Sequence, residues 1–386
     1  MKTNRFTSGL ILGCLALFGE TVWGQIPGGP YLGQSIPGAV PEPFATGIIP
    51  SVTPSITFTS DGSECFFTQW TPGNWFYLMT TKETNGIWPE PDTASFSLET
   101  DQSPHLTPDN NTLLFISSRL ISGLPYQGLH LWFTNRIGSE WQDPEVMDSP
   151  IKEHLMVSAA AAENGNLYLS IIDDAPEIFV SRLINGFYQE PEKLSDSIHY
   201  LPRPMRPYIA PDESYLLFDA SETQDPFSQR DLYISYRKPD QTWTKAAALS
   251  DTVNTEADET TPFVSRDNQF LFFAKDGVTH WMEAADIFIT GIEKHPEPGL
   301  SMMLYQNFPN PFRGVTTIVY SLLQPGRVSL RIYNLLEKEV AVLVNDNRPA
   351  GSHSVSFDAG DLPSGIYKYE LKTQNSLLTR KMVCVE

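Results

Sequence analysis

Cysteine is scarce in this chain of 386 residues, and what there is stands far apart, at Cys14, Cys65 and Cys384. Thiols so spaced build no disulfide framework and offer no paired zinc ligands. Histidine is sparse too, with seven residues and no two at the spacing that puts both imidazoles on one helical face. Positive charge is short: 26 Lys and Arg stand against 46 Asp and Glu, a net charge of −20. Such a chain repels nucleic acid and anionic membrane surfaces, so neither is expected as a partner, and the charge serves solubility. No apolar run reaches the roughly 18 residues of a membrane-spanning helix. A Gly-rich phosphate loop, a nucleophile elbow and a His-Glu metal helix are all missing, so no cofactor and no metal site is expected. Asp173-Asp174 and the Asp219/Asp225 stretch carry the oxygen ligands that Ca²⁺ takes, but in no known ligand spacing.

What is present begins with a secretory signal over residues 1–24. Lys2 and Arg5 give the basic start, Gly9 to Phe18 is apolar, and Val22-Trp23-Gly24 ends in a small residue before Gln25. Cys14 follows Ile11-Leu12-Gly13, the setting of a lipidated cysteine. The residues after it stay apolar where a lipoprotein would have a polar tether, so cleavage before Gln25 is the expectation and the mature chain is exported and soluble.

Self-similarity decides the architecture of the mature chain. Five segments share an acidic turn between apolar strands: ITFTSDGSECFF, PHLTPDNNTLLF, SAAAAENGNLYL, PYIAPDESYLLF and PFVSRDNQFLFF, with turn acids Asp61, Asp109, Glu163, Asp212 and Asp267. Four residues after each acid stands Cys65, Leu113, Leu167, Leu216 or Leu271, and six after it Phe67, Phe115, Leu169, Phe218 or Phe273. The two-residue spacing puts both on one strand face, toward a core, which makes Cys65 a small buried hydrophobe. The turn acids are expected to bond nearby backbone amides.

A third strand recurs in FYLMT, HLWFT, EIFVS, DLYIS and DIFIT (from Asp286), and a fourth is marked by WPEP (from Trp88), WQDP (Trp141), YQEP (Tyr188) and WTKA (Trp243). Four short strands per unit of about 50 residues is the sequence form of a β-propeller blade. The fifth unit lacks its fourth strand, and VPEPFATG from Val40 matches WPEPDTAS well enough to supply it and close the ring. The expectation is an all-β chain with a five-bladed propeller over residues 25–293, or six-bladed if 25–53 holds more strand. Over about residues 40–293 the repeats resemble the WD-repeat-like propellers of bacterial envelope proteins, including Tol-associated periplasmic ones, although only Asp61-Gly62 keeps the Asp-Gly pair and only Pro108-Asp109 and Pro211-Asp212 the Pro-Asp pair.

After a linker at 294–303, LYQNFPNPF opens a second domain over 304–386. Its alternating segments are enough for a seven-strand antiparallel sandwich. Asn307, Phe308, Pro309, Asn310, Pro311 and Phe312, then Ile332-Tyr333, Gly351 with His353, Ser364 through Gly365 and Ile366 to Tyr367, and Lys381-Met382-Val383 resemble, in order and spacing, the C-terminal sorting domain of type IX secretion cargo, related to the immunoglobulin-like module of flagellar hook-capping proteins. The resemblance implies a partner in the outer-membrane export machinery and a cargo that is displayed on the cell surface or released. Glu337 stands where the family has a turn Gly, which predicts a different turn, and Phe357 where it has Trp.

The place to look for a ligand is the start of each first strand, which in a propeller faces the channel mouth. Aligning the units puts Asp101, Glu153, His154, Arg203, Arg206, Asp258 and Glu259 there, a mixed-charge ring suited to a glycan, peptide or protein ligand. Two functions compete: a non-catalytic binding or scaffold propeller, favoured here, and a glycoside hydrolase using carboxylates from Asp101, Glu153 and Glu259. Asp101 and Glu259 share one register and would alternatively tie neighbouring blades together.

Overall fold

The computed structural model describes residues 26–284 and 302–385, apart from 51–54, 72, 74, 99, 125–126, 222, 224–228, 239, 305–306, 308–311, 313, 323, 350, 361 and 375. The signal segment, the linker, Asp286 to Thr290, Pro309, Asn310 and Pro311 lie outside the described residues.

Five antiparallel sheets follow one another, each starting on a short strand that leads into an acidic turn. The first consists of Ile56–Phe58, Glu64–Thr71, Trp75–Lys82 and Asp92–Thr93. The second has Gln102–Leu106, Thr112–Ser117 and His130–Ile137, with an outer strand in two pieces, Glu140–Trp141 and Glu145–Val146. Met156–Ala161, Leu167–Ile171, Glu177–Ser181 and Glu192–Lys193 form the third, and Met205–Ile209, Tyr215–Ser221, Arg230–Tyr236 and Ala247–Ala248 the fourth. The fifth joins Glu259–Val264, Phe270–Lys275 and Val278–Glu283 to Glu42–Pro43, which arrives from the N-terminal side and pairs Glu42 with Trp281.

The turns follow from their residues. Asp61 Oδ1 accepts from Thr59 Oγ1 (2.7 Å) and Ser63 N (3.0 Å), Asp109 Oδ1 from Thr107 Oγ1 (2.6 Å) and Asn111 N (3.0 Å), and Asp267 Oδ1 from Ser265 Oγ (2.6 Å) and Gln269 N (3.0 Å). The next residue takes the left-handed conformation at Gly62, Asn110, Glu213 and Asn268, which explains Gly and Asn there. Burial opposes ionisation of Asp61, but the Thr59 and Ser63 bonds outweigh it and lower its pKa; at Asp267 burial wins and the pKa is raised.

All ten core positions of the repeat, Cys65 to Phe273, are at most 1 % exposed. They feed five apolar clusters, each made by two successive sheets. Phe66, Leu78 and Phe115 pack between the first and second, Leu114, Leu131 and Leu169 between the second and third, and Tyr168, Phe218 and Tyr233 between the third and fourth. Leu217, Leu232 and Phe273 follow between the fourth and fifth, and Phe58, Phe67, Phe272 and Trp281 between the fifth and first. The last of these closes the ring, as propeller-like packing requires.

Two strand positions differ from expectation. The fifth sheet takes its third strand from Val278–Glu283 instead of the segment at Asp286, because Asp276-Gly277, both at positive φ, makes a two-residue hairpin right after Phe270–Lys275. The outer strands begin four residues beyond the aromatic marker, at Asp92, Glu145, Glu192 and Ala247, and only two residues beyond Val40 in the closing strand. The marker aromatics instead turn back onto the sheets: Trp141 pairs with Arg136 and Tyr188 with Leu183.

The tail folds as two facing sheets. Met302–Leu304, Val315–Leu322 and Gly351–Asp358 form one, and Glu339–Arg348, Gly326–Asn334, Gly365–Lys372 and Leu377–Cys384 the other. Ile318, Tyr320 and Phe357 meet Leu330, Ile332, Tyr369 and Met382 between them. Buried Asn307 donates through its side chain to Thr316 Oγ1 (2.9 Å) and through its backbone to Tyr369 Oη (2.8 Å), so the Asn of the opening phrase pins the entry strand. Phe312 bridges to Cys384 and packs on Phe357; Tyr367 Oη donates to Pro363 O (2.8 Å), and Gly365 and Lys381 lie on the last two strands. Glu337 takes φ +59°, a left-handed conformation that costs a non-glycine residue about 1 kcal/mol.

Candidate functional site

The first strands of all five sheets surround a narrow central cavity of about 50 Å³, lined among others by Ser103, His105, Ser158, Arg206, Tyr208 and Thr261. The strands are bulged here: the pairing register shifts between Gln102 and His105, Met156 and Ser158, Met205 and Tyr208, and Thr260 and Phe263. Ser103, Arg206 and Thr261 sit at φ +54°, +50° and +51°, each just before a proline. Non-glycine residues in that conformation are strained, and bulges concentrate where side chains must be re-aimed. Ser103 N donates to Thr68 Oγ1 (3.0 Å), Thr261 N to Asp219 Oδ1 (3.3 Å), and the buried Ser158 hydroxyl has no hydrogen-bond partner among the described residues. His105 Nε2 accepts from Ala161 N (3.0 Å). Burial, aided by the charge of Arg266, lowers its pKa to about 4 and keeps it neutral.

Of the seven residues expected at the mouth, Arg206 alone lines this cavity. Asp101 is fully buried and holds Arg119 by two contacts, Nη2 at 2.5 Å and Nε at 3.2 Å, while accepting from Leu98 N at 2.8 Å. Arg119 in turn donates to Phe96 O (2.7 Å) and stacks on Phe115 and Trp132. Glu259, also fully buried, accepts from Thr255 N (3.1 Å) and Oγ1 (2.6 Å) and lies 3.7 Å from Lys275 Nζ. Each carboxylate therefore braces its own sheet and the loop leading into it, not the neighbouring sheet.

Glu153 is exposed on a short 3-10 turn, bonded to Ser149 Oγ (2.8 Å). His154 Nδ1 faces Asp173 Oδ2 at 2.6 Å, so Asp173 serves a histidine and the Leu155 amide instead of a cation. Arg203, Arg206 and Asp258 are joined through the pair of Asp219 and Arg230, whose acid was considered only as a cation ligand. Asp219 is fully buried between Arg206 Nη1 (2.9 Å) and Arg230 Nε (2.5 Å); Arg230 also donates through Nη2 to Arg203 O (2.8 Å) and through its backbone to Asp258 Oδ1 (3.0 Å). Two arginines neutralise Asp219 and leave it no role as a calcium ligand. Among the described residues no group of three potential metal ligands gathers.

Of the bulged residues only Arg206 was singled out from sequence; Ser103, Ser158 and Thr261 were not. The signal lay in the repeats themselves, since Pro104, Pro207 and Pro262 open three of the five phrases and mark the residue before each. Two further cavities lie between sheets, on the side of the acidic turns: one of about 190 Å³ beside Trp243, between the third and fourth sheets, and one of about 430 Å³ between the second and third.

No protein of curated function matches this sequence. Among solved structures, PorZ of Porphyromonas gingivalis, described as an essential bacterial surface component of the type-IX secretion system, is similar at 14 % identity over 89 % of this chain, with a TM-score of 0.35. The chain spans 46 % of that protein's length. A Bacteroides ovatus xyloglucan-locus GH43B is 12 % identical over 88 % of this chain and 92 % of its own, with a TM-score of 0.41. The Pseudomonas aeruginosa periplasmic gluconolactonase PpgL is 11 % identical over 86 % of this chain and 98 % of its own, at 0.38. None of these likenesses transfers an activity. No described helix is long and apolar enough to cross a membrane. Residues 306–386 match the secretion system C-terminal sorting domain, so the chain carries, at its C-terminal end, the tail that marks type IX cargo for passage across the outer membrane.

Proposed function

We propose that this chain is an exported, non-catalytic binding module, a five-bladed, WD-repeat-like propeller over residues 25–293 that is carried out by an immunoglobulin-like sorting sandwich over 304–386 after removal of a signal peptide at 1–24. Its ligand face is the channel mouth, where Arg206 stands beside the bulged Ser103, Ser158 and Thr261, and its ligand is polar, a glycan or a peptide. A display site on the cell surface suits such a module.

The observation that carries this reading is the state of the carboxylates. A glycoside hydrolase needs two of them facing each other across roughly 5–10 Å of accessible space. Asp101 and Glu259 are instead fully buried and saturated by Arg119, Leu98, Thr255 and Lys275. Strain is held at Ser103, Arg206 and Thr261, on the channel wall.

The test is a glycan and peptidoglycan-fragment screen on the full chain, with reducing-sugar release followed in the same wells and Arg206→Gln run alongside. Saturable binding lost in Arg206→Gln, without sugar release, supports the binding module. Turnover would make the protein a hydrolase and overturn the reading.

A further inference from the structure

The cleft between the second and third sheets exists because a plug found elsewhere in the ring is missing there. Between the first and second sheets the same space holds Trp141, with the Arg136 guanidinium stacked on its ring at 4.3 Å and bonded to Glu64 Oε1 at 2.7 Å. Between the third and fourth it holds Trp243 under Arg237 (5.0 Å), whose Nη1 donates to Tyr168 Oη (3.2 Å), itself bonded to Glu213 Oε1 (2.9 Å). In both, arginine and tryptophan are cross-strand partners.

At the equivalent pair of the third sheet, Leu183 faces Tyr188. The aromatic survives, the guanidinium is gone, and the position of Glu64, three residues after the turn acid, is Thr112. The result is the 430 Å³ cleft, with Leu114, Leu167, Leu183 and Tyr188 in its walls and Asp109 and Glu163 exposed at its rim. Asp109 commits Oδ1 to Thr107 and Asn111, and the Glu163 carboxylate has no hydrogen bond among the described residues. Arg266 reaches across from the fifth sheet to Pro108 O and feels both acids, so it offsets one of the two negative charges and leaves one over.

We propose that this cleft receives an arginine side chain from a partner polypeptide. Its alkyl stem lies along Leu114, Leu167 and Leu183, its guanidinium stacks on Tyr188, and its charge is met by Glu163 and Asp109. An apolar wall with an aromatic face and a carboxylate rim is the environment this molecule already gives Arg136 and Arg237. The chain's net charge of −20 draws a basic segment toward it. The site lies on the acidic-turn side of the ring and is independent of the channel mouth.

The experiment titrates the full chain with acetyl-Gly-Arg-Gly amide and with its citrulline counterpart, which keeps the shape and removes the charge. The arginine peptide is expected to bind saturably in the millimolar range, and the citrulline peptide at least about tenfold more weakly. Leu183→Arg, which supplies the missing guanidinium in cis, and Glu163→Gln, a surface change that spares the core, are each expected to weaken the arginine peptide by about tenfold with an unchanged melting temperature. Equal binding of the two peptides, binding undiminished in both variants, or no saturation up to roughly 10 mM would overturn the proposal.

Discussion

Replacing Asp101 by alanine separates a structural carboxylate from a functional one. The side chain is fully buried and compensates Arg119, which is only 13 % exposed and is wedged between Phe115 and Trp132. Removing the acid leaves a guanidinium charge with Phe96 O as its remaining hydrogen-bond acceptor and strands the Leu98 amide. Breaking one side of a buried pair costs about 3–5 kcal/mol, which in a domain of this size lowers the melting temperature by roughly 10 °C. The double variant Asp101→Ala/Arg119→Met removes the orphaned charge and is expected to recover about half of the loss, so that the two substitutions are far from additive. Thermal and urea unfolding followed by near-UV circular dichroism measures all corners of the cycle. A melting temperature for Asp101→Ala within about 1 °C of the parent would refute the argument and make Asp101 a candidate functional carboxylate again.

Three further outcomes rest on the same structure. Phe44 is 2 % exposed and meets Phe58, Phe272 and Trp281 edge-on at 5.0–5.8 Å. Phe44→Ala is expected to cost about 3–5 kcal/mol, and by loosening Glu42–Pro43 to bare the edge of Val278–Glu283, giving dimers or larger species in gel filtration. His105 takes up a proton at about 4 in the folded chain, against about 6.5 unfolded, so the unfolded state binds more protons between those values. The stabilisation is complete above the unfolded pKa and is lost as pH falls toward 4, by at most about 3 kcal/mol; urea midpoints at pH 7 and 4.5 should converge in His105→Gln. Cys65 and Cys384 are buried, and burial pushes the Cys65 thiol far up its scale. Neither should react with a water-soluble disulfide reagent until the protein unfolds, and thiol counting in native buffer and in urea reads this directly.

What was legible from sequence is what repeats locally. The turn acid, the left-handed residue after it and the buried positions four and six residues on lie within one hairpin, so backbone and burial constraints act on neighbouring letters. The third strand of the fifth sheet was missed because DIFIT matched the consensus, although Asp276-Gly277 is the stronger local hairpin signal. The candidate site was less legible. Asp101 finds Arg119, and Asp219 finds Arg206 and Arg230, through loops of different length, so the alignment placed charges near the mouth without saying which were already paired. The prolines that mark the bulges were in plain view, but their consequence is a strained residue before each one, a property of backbone and not of composition.

In a ring of repeated units, specificity has to come from the places where the units differ. Equivalent positions carry Arg136, Leu183 and Arg237, and the first and last of these are stacked on Trp141 and Trp243 while the second faces an open cleft. The third sheet departs from its neighbours on its first strand as well, where Ala159, Ala160, Ala161 and Ala162 run through positions that hold His105 and Leu106 in the second sheet and Tyr208 and Ile209 in the fourth. Of these alanines only Ala161 and Ala162 line the cleft, and Ala161 has Ala210 at its position in the fourth sheet, so the lost arginine is the change that sets this junction apart. A cleft that has lost its arginine, with both turn acids left exposed at its rim, has the form of a receptor, and the apolar clusters on either side give it the rigid walls that a receptor needs.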